Sequence, residues 1–125
     1  MTIDELLAQA RSRLDRLDPQ TASAAMAGGA LLVDIRAESQ RAADGLVPGA
    51  IFIQRNALEW RCDPASQWHD ERVAPGRRLI VMCDEGYQSS LAAATLRDLG
   101  VDATDLAGGF QAWRAAGLPV QPLRA

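Results

Sequence analysis

The chain contains no lysine. Its 13 basic residues are all arginine, which excludes Schiff-base chemistry and any catalytic ammonium group. Histidine is almost as scarce. His69 stands alone, and a zinc site would need it together with Cys62, Cys83 and a carboxylate, at spacings that match no paired-ligand pattern. No metal is expected. Acidic residues number 16, for a net charge of −3, and the arginines are scattered rather than gathered into a stripe, so nucleic acid is not an expected partner. No run approaches the roughly 18 apolar residues of a membrane span. Asp4 and Glu5 stand where an export signal would carry positive charge. Two cysteines without such a signal point to the reducing cytoplasm, with free thiols rather than a disulfide.

What is present reads as one globular domain of 125 residues, 48% hydrophobic and 23% charged. Ile3, Leu6, Leu7, Ala10, Leu14 and Leu17 share a helical face, which predicts an amphipathic helix over residues 3 to 17. Asp18 as N-cap and Pro19 at the first helical position open a second helix that Gly28-Gly29 stops. Three short apolar runs follow, at 30–34, 50–53 and 79–82, each suited to a strand covered on both faces, and residues 101–106 would be a last strand. Between them lie a polar stretch at 36–45, a short helix at 56–61, a loop at 62–76, a helix at 89–99 capped by Gly100, and a last helix at 110–116. Strands alternating with helices predict an α/β fold, with a mostly parallel sheet of about five strands and helices on both faces.

In such sheets ligands sit at the carboxyl ends of the strands, where Asp34, Arg36 and Cys83 would converge. Cys83 follows the buried run Leu79-Ile80-Val81-Met82 and precedes an Ala-rich helix. A thiol there faces the backbone N–H groups of a tight loop, which stabilise an anion.

Four motifs carry a resemblance. Leu32-Val33-Asp34-Ile35-Arg36, Gly45-Leu46-Val47-Pro48-Gly49-Ala50, Cys83-Asp84-Glu85-Gly86-Tyr87-Gln88-Ser89 and Ala107-Gly108-Gly109-Phe110-Gln111-Ala112-Trp113 resemble, in order, the signatures of the single-domain rhodanese family of sulfurtransferases. The resemblance implies a rhodanese domain over 19–125, with residues 1–18 as an N-terminal helix packed on it. It implies that Cys83 is the nucleophile, takes up a sulfane sulfur as a persulfide without any other cofactor, and passes it on. The partners would be a small sulfur donor or a donor protein, and cyanide, a small thiol or a protein thiol as acceptor. The N–H groups of Asp84, Glu85, Gly86, Tyr87 and Gln88 would form the cradle; Ser89 and Ser90 would cap the next helix, and Ser89 would also donate to the sulfur.

One departure matters. Many active members carry Arg at the place of Gln88, and Gln gives no charge-assisted contact to an anion. Asp84 and Glu85 add negative charge, so thiosulfate, a dianion, is expected to be a poor donor. Arg36, Arg55 and Arg61 are candidates to restore positive charge to the pocket. Asp34 with Arg36 reads first as a structural pair. Trp60 and Trp68 are expected to pack beneath the long loop rather than line an aromatic pocket wall, Trp113 in the core, His69 toward solvent rather than as a base to a thiol, and Cys62 as an incidental rather than a resolving thiol. A noncatalytic binding or redox-sensing module is the alternative function. Phosphatase or arsenate reductase activity is a remoter one, because the residue six places after Cys83 is Ser89 instead of Arg.

Overall fold

The computed structural model describes residues 1–123; residues 124 and 125, the end of the expected domain, lie outside them. Strands β1 (Leu31–Asp34), β2 (Ile51–Phe52), β3 (Leu79–Met82) and β4 (Ala103–Asp105) form one parallel sheet in the order β2-β1-β3-β4. The helices are α1 (Ile3–Ser12), α2 (Pro19–Ala27), α3 (Glu38–Asp44), α4 (Leu58–Cys62), entered through a 3-10 turn at Arg55–Ala57, α5 (Gln88–Asp98) and α6 (Gly109–Ala115). Parallel strands need crossovers, and the helices that provide them cover both sides of the sheet.

Alternation along the strands divides the core. Leu31, Val33, Leu79, Val81 and Cys83 project into one cluster, closed by Leu58 and Cys62 of α4 and by Ala92, Ala93 and Leu96 of α5. Leu32, Ile80 and Met82 project into the other, closed by Ala22 of α2 and by Phe110 and Trp113 of α6. Ala92 and Ala93 are fully buried, and their small side chains let α5 approach the sheet closely.

The strand count is four among the described residues, not five. Beside β4 the chain offers only an isolated parallel bridge, in which Leu17 N–H donates to Asp105 O (3.1 Å) and Ala107 N–H donates to Leu17 O (2.8 Å). The segment cannot lengthen into a strand because α2 begins two residues later, with Asp18 accepting from Thr21 N–H (2.8 Å) and Pro19 lacking an N–H. The same bridge shortens α1, expected to run to Leu17 but ending at Ser12. Leu14 packs on the α4/α5 side and Leu17 on the opposite side, and one helix face cannot serve both. The polar stretch 36–45 is helical over α3, which buries no residue and so shows no apolar period. Trp60 and Trp68, expected beneath the loop, are 58% and 60% exposed. No helix among the described residues is long and apolar enough to cross a membrane.

Candidate active site

Cys83 is the first residue beyond β3, on the side of the sheet covered by α5. The chain then curls back toward it. Gly86 N–H and Ser89 N–H both donate to Cys83 Sγ, at 3.1 and 3.3 Å. Gly86 has φ +89°, and a Cβ there would lie 2.8 Å from Gly108 N and 3.2 Å from an Arg16 nitrogen, so the curl requires glycine. Gly109 is equally constrained, since its Cβ would meet Cys83 O at 2.5 Å and Asp84 O at 2.6 Å. That close approach lets the start of α6 donate to the loop: Phe110 N–H to Cys83 O (2.9 Å) and Gln111 N–H to Asp84 O (3.1 Å). N–H groups that a helix N-terminus leaves unpaired thus fix both ends of the Cys83–Asp84 step.

Cys83 is 7% exposed and lines a cavity of about 280 Å3, together with Ile35, Arg36, Ala37, Gln40, Asp84, Glu85, Tyr87 and Gln88. A neighbouring cavity of about 470 Å3 shares Ile35, Arg36 and Ala37 and adds Phe52, Gln54, Arg55 and Asn56. Trp60, Trp68 and Arg61 line a separate cavity of about 410 Å3 that contains no cysteine.

Of the cations expected at the pocket, one lines the Cys83 cavity, and its charge is already matched. Arg36 is fully buried and forms a two-pronged pair with Asp34, Nε to Oδ1 (3.1 Å) and an Nη to Oδ2 (2.9 Å), while also donating to Gly45 O (2.7 Å). Its guanidinium stacks 3.9 Å from the Phe110 ring centre. Arg41 adds a second cation to Asp34 at 3.3 Å. The pair ties the end of β1 to the loop after α3. Arg55 sits one layer out, with Nε donating to Gln88 Oε1 (3.1 Å) and Nη1 donating to both Glu59 oxygens (2.9 Å each). Arg61 is not part of the site: it donates to Asp70 (3.1 Å) and Trp68 O (3.1 Å) in the 62–76 excursion. His69 is there too, half-buried rather than solvent-facing, its Nε2–H donating to Val73 O (2.6 Å).

The carboxylates of the loop turn aside from the sulfur. Asp84 accepts from Gln111 Nε2 (2.9 Å), and Glu85 is exposed. The serines differ from expectation: Ser89 reaches the sulfur through its backbone, and the Ser89 and Ser90 hydroxyls both donate to Asp105 Oδ2 at 2.8 Å. Neither caps α5 through its side chain. Asp105, fully buried at the end of β4, is a carboxylate that needs donors, and a third comes from Arg16, Nε to Oδ1 at 2.9 Å.

Arg16 and Arg11 were not foreseen at the site. Arg16 also donates to Gly86 O (2.9 Å), and Arg11 donates to the same oxygen (2.8 Å) and to Ser90 Oγ (3.1 Å). Positive charge therefore comes from α1 and the segment after it, behind the loop. The one available signal was Asp105 itself, an acid ending a buried strand and so in need of a cation.

Cys62 ends α4 and is fully buried, not a loop residue. Burial, reinforced by Asp70 and Glu59 and partly opposed by Arg61, pushes its thiol up to about 12. Arg72, with hydrogen bonds to both oxygens, holds the Asp70 carboxyl well below the usual carboxylate range.

Comparison with known proteins agrees with this geometry. The chain is 36% identical over 105 residues to the thiosulfate sulfurtransferase GlpE of Ectopseudomonas mendocina, spanning 83% of this chain and 88% of the relative. It is 33% identical to the GlpE of Stutzerimonas stutzeri over 79% and 84%. Among solved structures, a Rhodopseudomonas palustris protein of unknown function, described as a possible tyrosine phosphatase, superposes with a TM-score of 0.89 at 31% identity, over 97% of this chain and 95% of that one. A thiosulfate sulfurtransferase from Pseudomonas aeruginosa superposes with a TM-score of 0.71 at 28% identity, over 88% of this chain but 20% of that one. The profile of the Rhodanese-like domain matches residues 18–116, and on the strength of that match and of these relatives the chain belongs to the rhodanese-like family of sulfurtransferases.

Proposed function

We propose that this protein transfers sulfane sulfur through a persulfide on Cys83. The observation that carries the reading is the pair of N–H donors, Gly86 and Ser89, on the sulfur of a cysteine that lines a cavity. In the first step the Cys83 thiolate attacks the sulfane sulfur of the donor. An Sγ–S bond forms, and the bond between that sulfur and the rest of the donor breaks, its electron pair leaving with the remainder: sulfite from thiosulfate, a thiolate from a thiol persulfide. In the second step a thiolate or cyanide attacks the outer sulfur, and Cys83 departs as the thiolate held by its two N–H donors.

Donor preference follows from charge. Arg36 is the one cation lining the cavity and is matched by Asp34, and Gln88 brings no charge, so a dianion meets no unmatched cation there. Thiol persulfides and polysulfides should therefore load faster than thiosulfate, and thiols are the favoured acceptors. Phosphoryl transfer is disfavoured on the same grounds. The place six residues after Cys83 holds Ser89, whose hydroxyl serves Asp105, leaving a dianionic phosphate without a cation.

The test is intact-mass spectrometry after exposure to thiosulfate, glutathione persulfide and inorganic polysulfide in parallel. One added sulfur is expected, fastest from the latter two and absent in Cys83→Ser. No adduct from any of the three would overturn the transferase reading in favour of a binding module.

A further inference from the structure

We propose that Arg11 and Arg16, which precede the family-matched region, are positioning residues for sulfur transfer: they polarise the Gly86–Tyr87 peptide from behind so that its N–H receives the charge of the outer persulfide sulfur. The inference rests on the sulfurtransferase reading and says where that charge is met.

A peptide oxygen has two lone pairs. At Gly86 O both are engaged by guanidinium groups, at 2.8 Å from Arg11 and 2.9 Å from Arg16. All peptides among the described residues are trans. Tyr87 N–H therefore points opposite to Gly86 C=O, away from the two arginines. No described backbone or side-chain acceptor takes that N–H. The N–H groups on either side of it in sequence, those of Gly86 and Ser89, already lie on Sγ. When sulfur is loaded, the negative charge moves from Sγ to the new terminal atom, which needs donors of its own. Hydrogen bonds to a carbonyl strengthen the N–H at the other end of the same peptide. Two cations on the Gly86 oxygen thus act on the anion without touching it.

The two arginines differ in what else they do. Arg16 is bound to the buried Asp105, so its loss would disturb the core as well. Arg11 has no such duty. Its guanidinium meets Gly86 O and Ser90 Oγ and lies 5.5 Å from the Tyr87 ring centre, so all three contacts are on the loop or the helix it opens.

Arg11 is accordingly the position to test. Sulfur loading from inorganic polysulfide is followed by intact mass at fixed pH in the unsubstituted protein, Arg11→Met and Arg11→Lys. Directly removing an oxyanion donor slows enzymes by about 100- to 1,000-fold, and a donor weakened through its peptide should slow loading by about tenfold. Arg11→Met should show that loss with little change in melting temperature, since methionine and arginine have similar helix propensities. Arg11→Lys, which keeps a cation for the carbonyl, should recover most of the rate. The Gly86 carbonyl 13C and Tyr87 amide resonances should move in the Met variant and return in the Lys variant. Loading of Arg11→Met at the unsubstituted rate, or Met and Lys variants equally slow with unmoved resonances, would overturn the inference. Failure of the unsubstituted protein to load would strike the sulfurtransferase reading itself, and this role with it.

Discussion

Cys62 and Cys83 belong to the same apolar cluster and are both buried, yet the backbone around them is arranged in opposite ways. Cys83 follows a strand, where the chain turns and brings two N–H groups onto the sulfur. Cys62 ends a short helix, where N–H groups point back along the axis, and its nearest charges include Glu59 and Asp70. Burial alone makes a thiol inert, whereas inward-facing amides are what a thiolate nucleophile needs. Local backbone direction separates the two.

The sharpest way to break that contrast is to remove the curl. Gly86→Ala places a Cβ against Gly108 N and demands a backbone conformation that L-residues rarely adopt. Loading of Cys83 should fall by more than about 100-fold, comparable to losing an oxyanion donor. Melting experiments should show a loss on the order of 1–3 kcal/mol from the strained backbone.

A probe of reactivity comes next. With its thiol near 12, Cys62 is about one part in ten thousand ionised at pH 8. Iodoacetamide on the native protein should alkylate Cys83 and spare Cys62, while in denaturant both should react; peptide mapping reads the ratio.

The same burial should appear in alkaline stability. Below the ordinary thiol value of 9.0, Cys62 is neutral in both folded and unfolded chains and imposes no penalty. Above it the unfolded thiol ionises first, so stability falls by about 1 kcal/mol per pH unit until the folded thiol titrates near 12. Cys62→Val should flatten this limb in denaturant titrations between pH 9 and 12, whereas Gly86→Ala should leave it in place.

The smallest effect concerns the surroundings of Cys62. The Asp70 carboxylate is held low by Arg72, so its contribution is present above the ordinary value of 3.8 and is lost as pH falls. Asp70→Asn should destabilise by about 1 kcal/mol at pH 7, because its partners are substantially exposed. The difference should shrink as the pH is taken well below 3.8, and Cys83 loading should be unaffected.

What could be read in the sequence was mostly what short segments determine. The place of Cys83 at a strand end followed from four apolar residues and the glycine after it. Asp18 and Pro19 marked α2, and the Gly108-Gly109-Phe110 element marked a tight approach whose partner proved to be the Cys83–Asp84 backbone. The α3 helix was illegible because it buries nothing. The true length of α1 was hidden because Leu14 and Leu17 continue a helical period while packing on opposite sides of the sheet. The clamp on Gly86 was beyond reach for another reason: Arg11 and Arg16 meet it across 75 and 70 residues, and Arg16 meets Asp105 across 89. The cations nearer in sequence to the site's loops, Arg36, Arg55 and Arg61, are instead matched by Asp34, Glu59 and Asp70.

The central claim is that one of two buried thiols carries the sulfur. Cleavage after arginine separates residues 62–72, with Cys62, from residues 79–97, with Cys83. After exposure to polysulfide, capping of persulfides and digestion under non-reducing conditions, mass spectrometry should find the extra sulfur on the Cys83 peptide and none on the Cys62 peptide. Sulfur on both peptides alike, or on neither, would contradict the account.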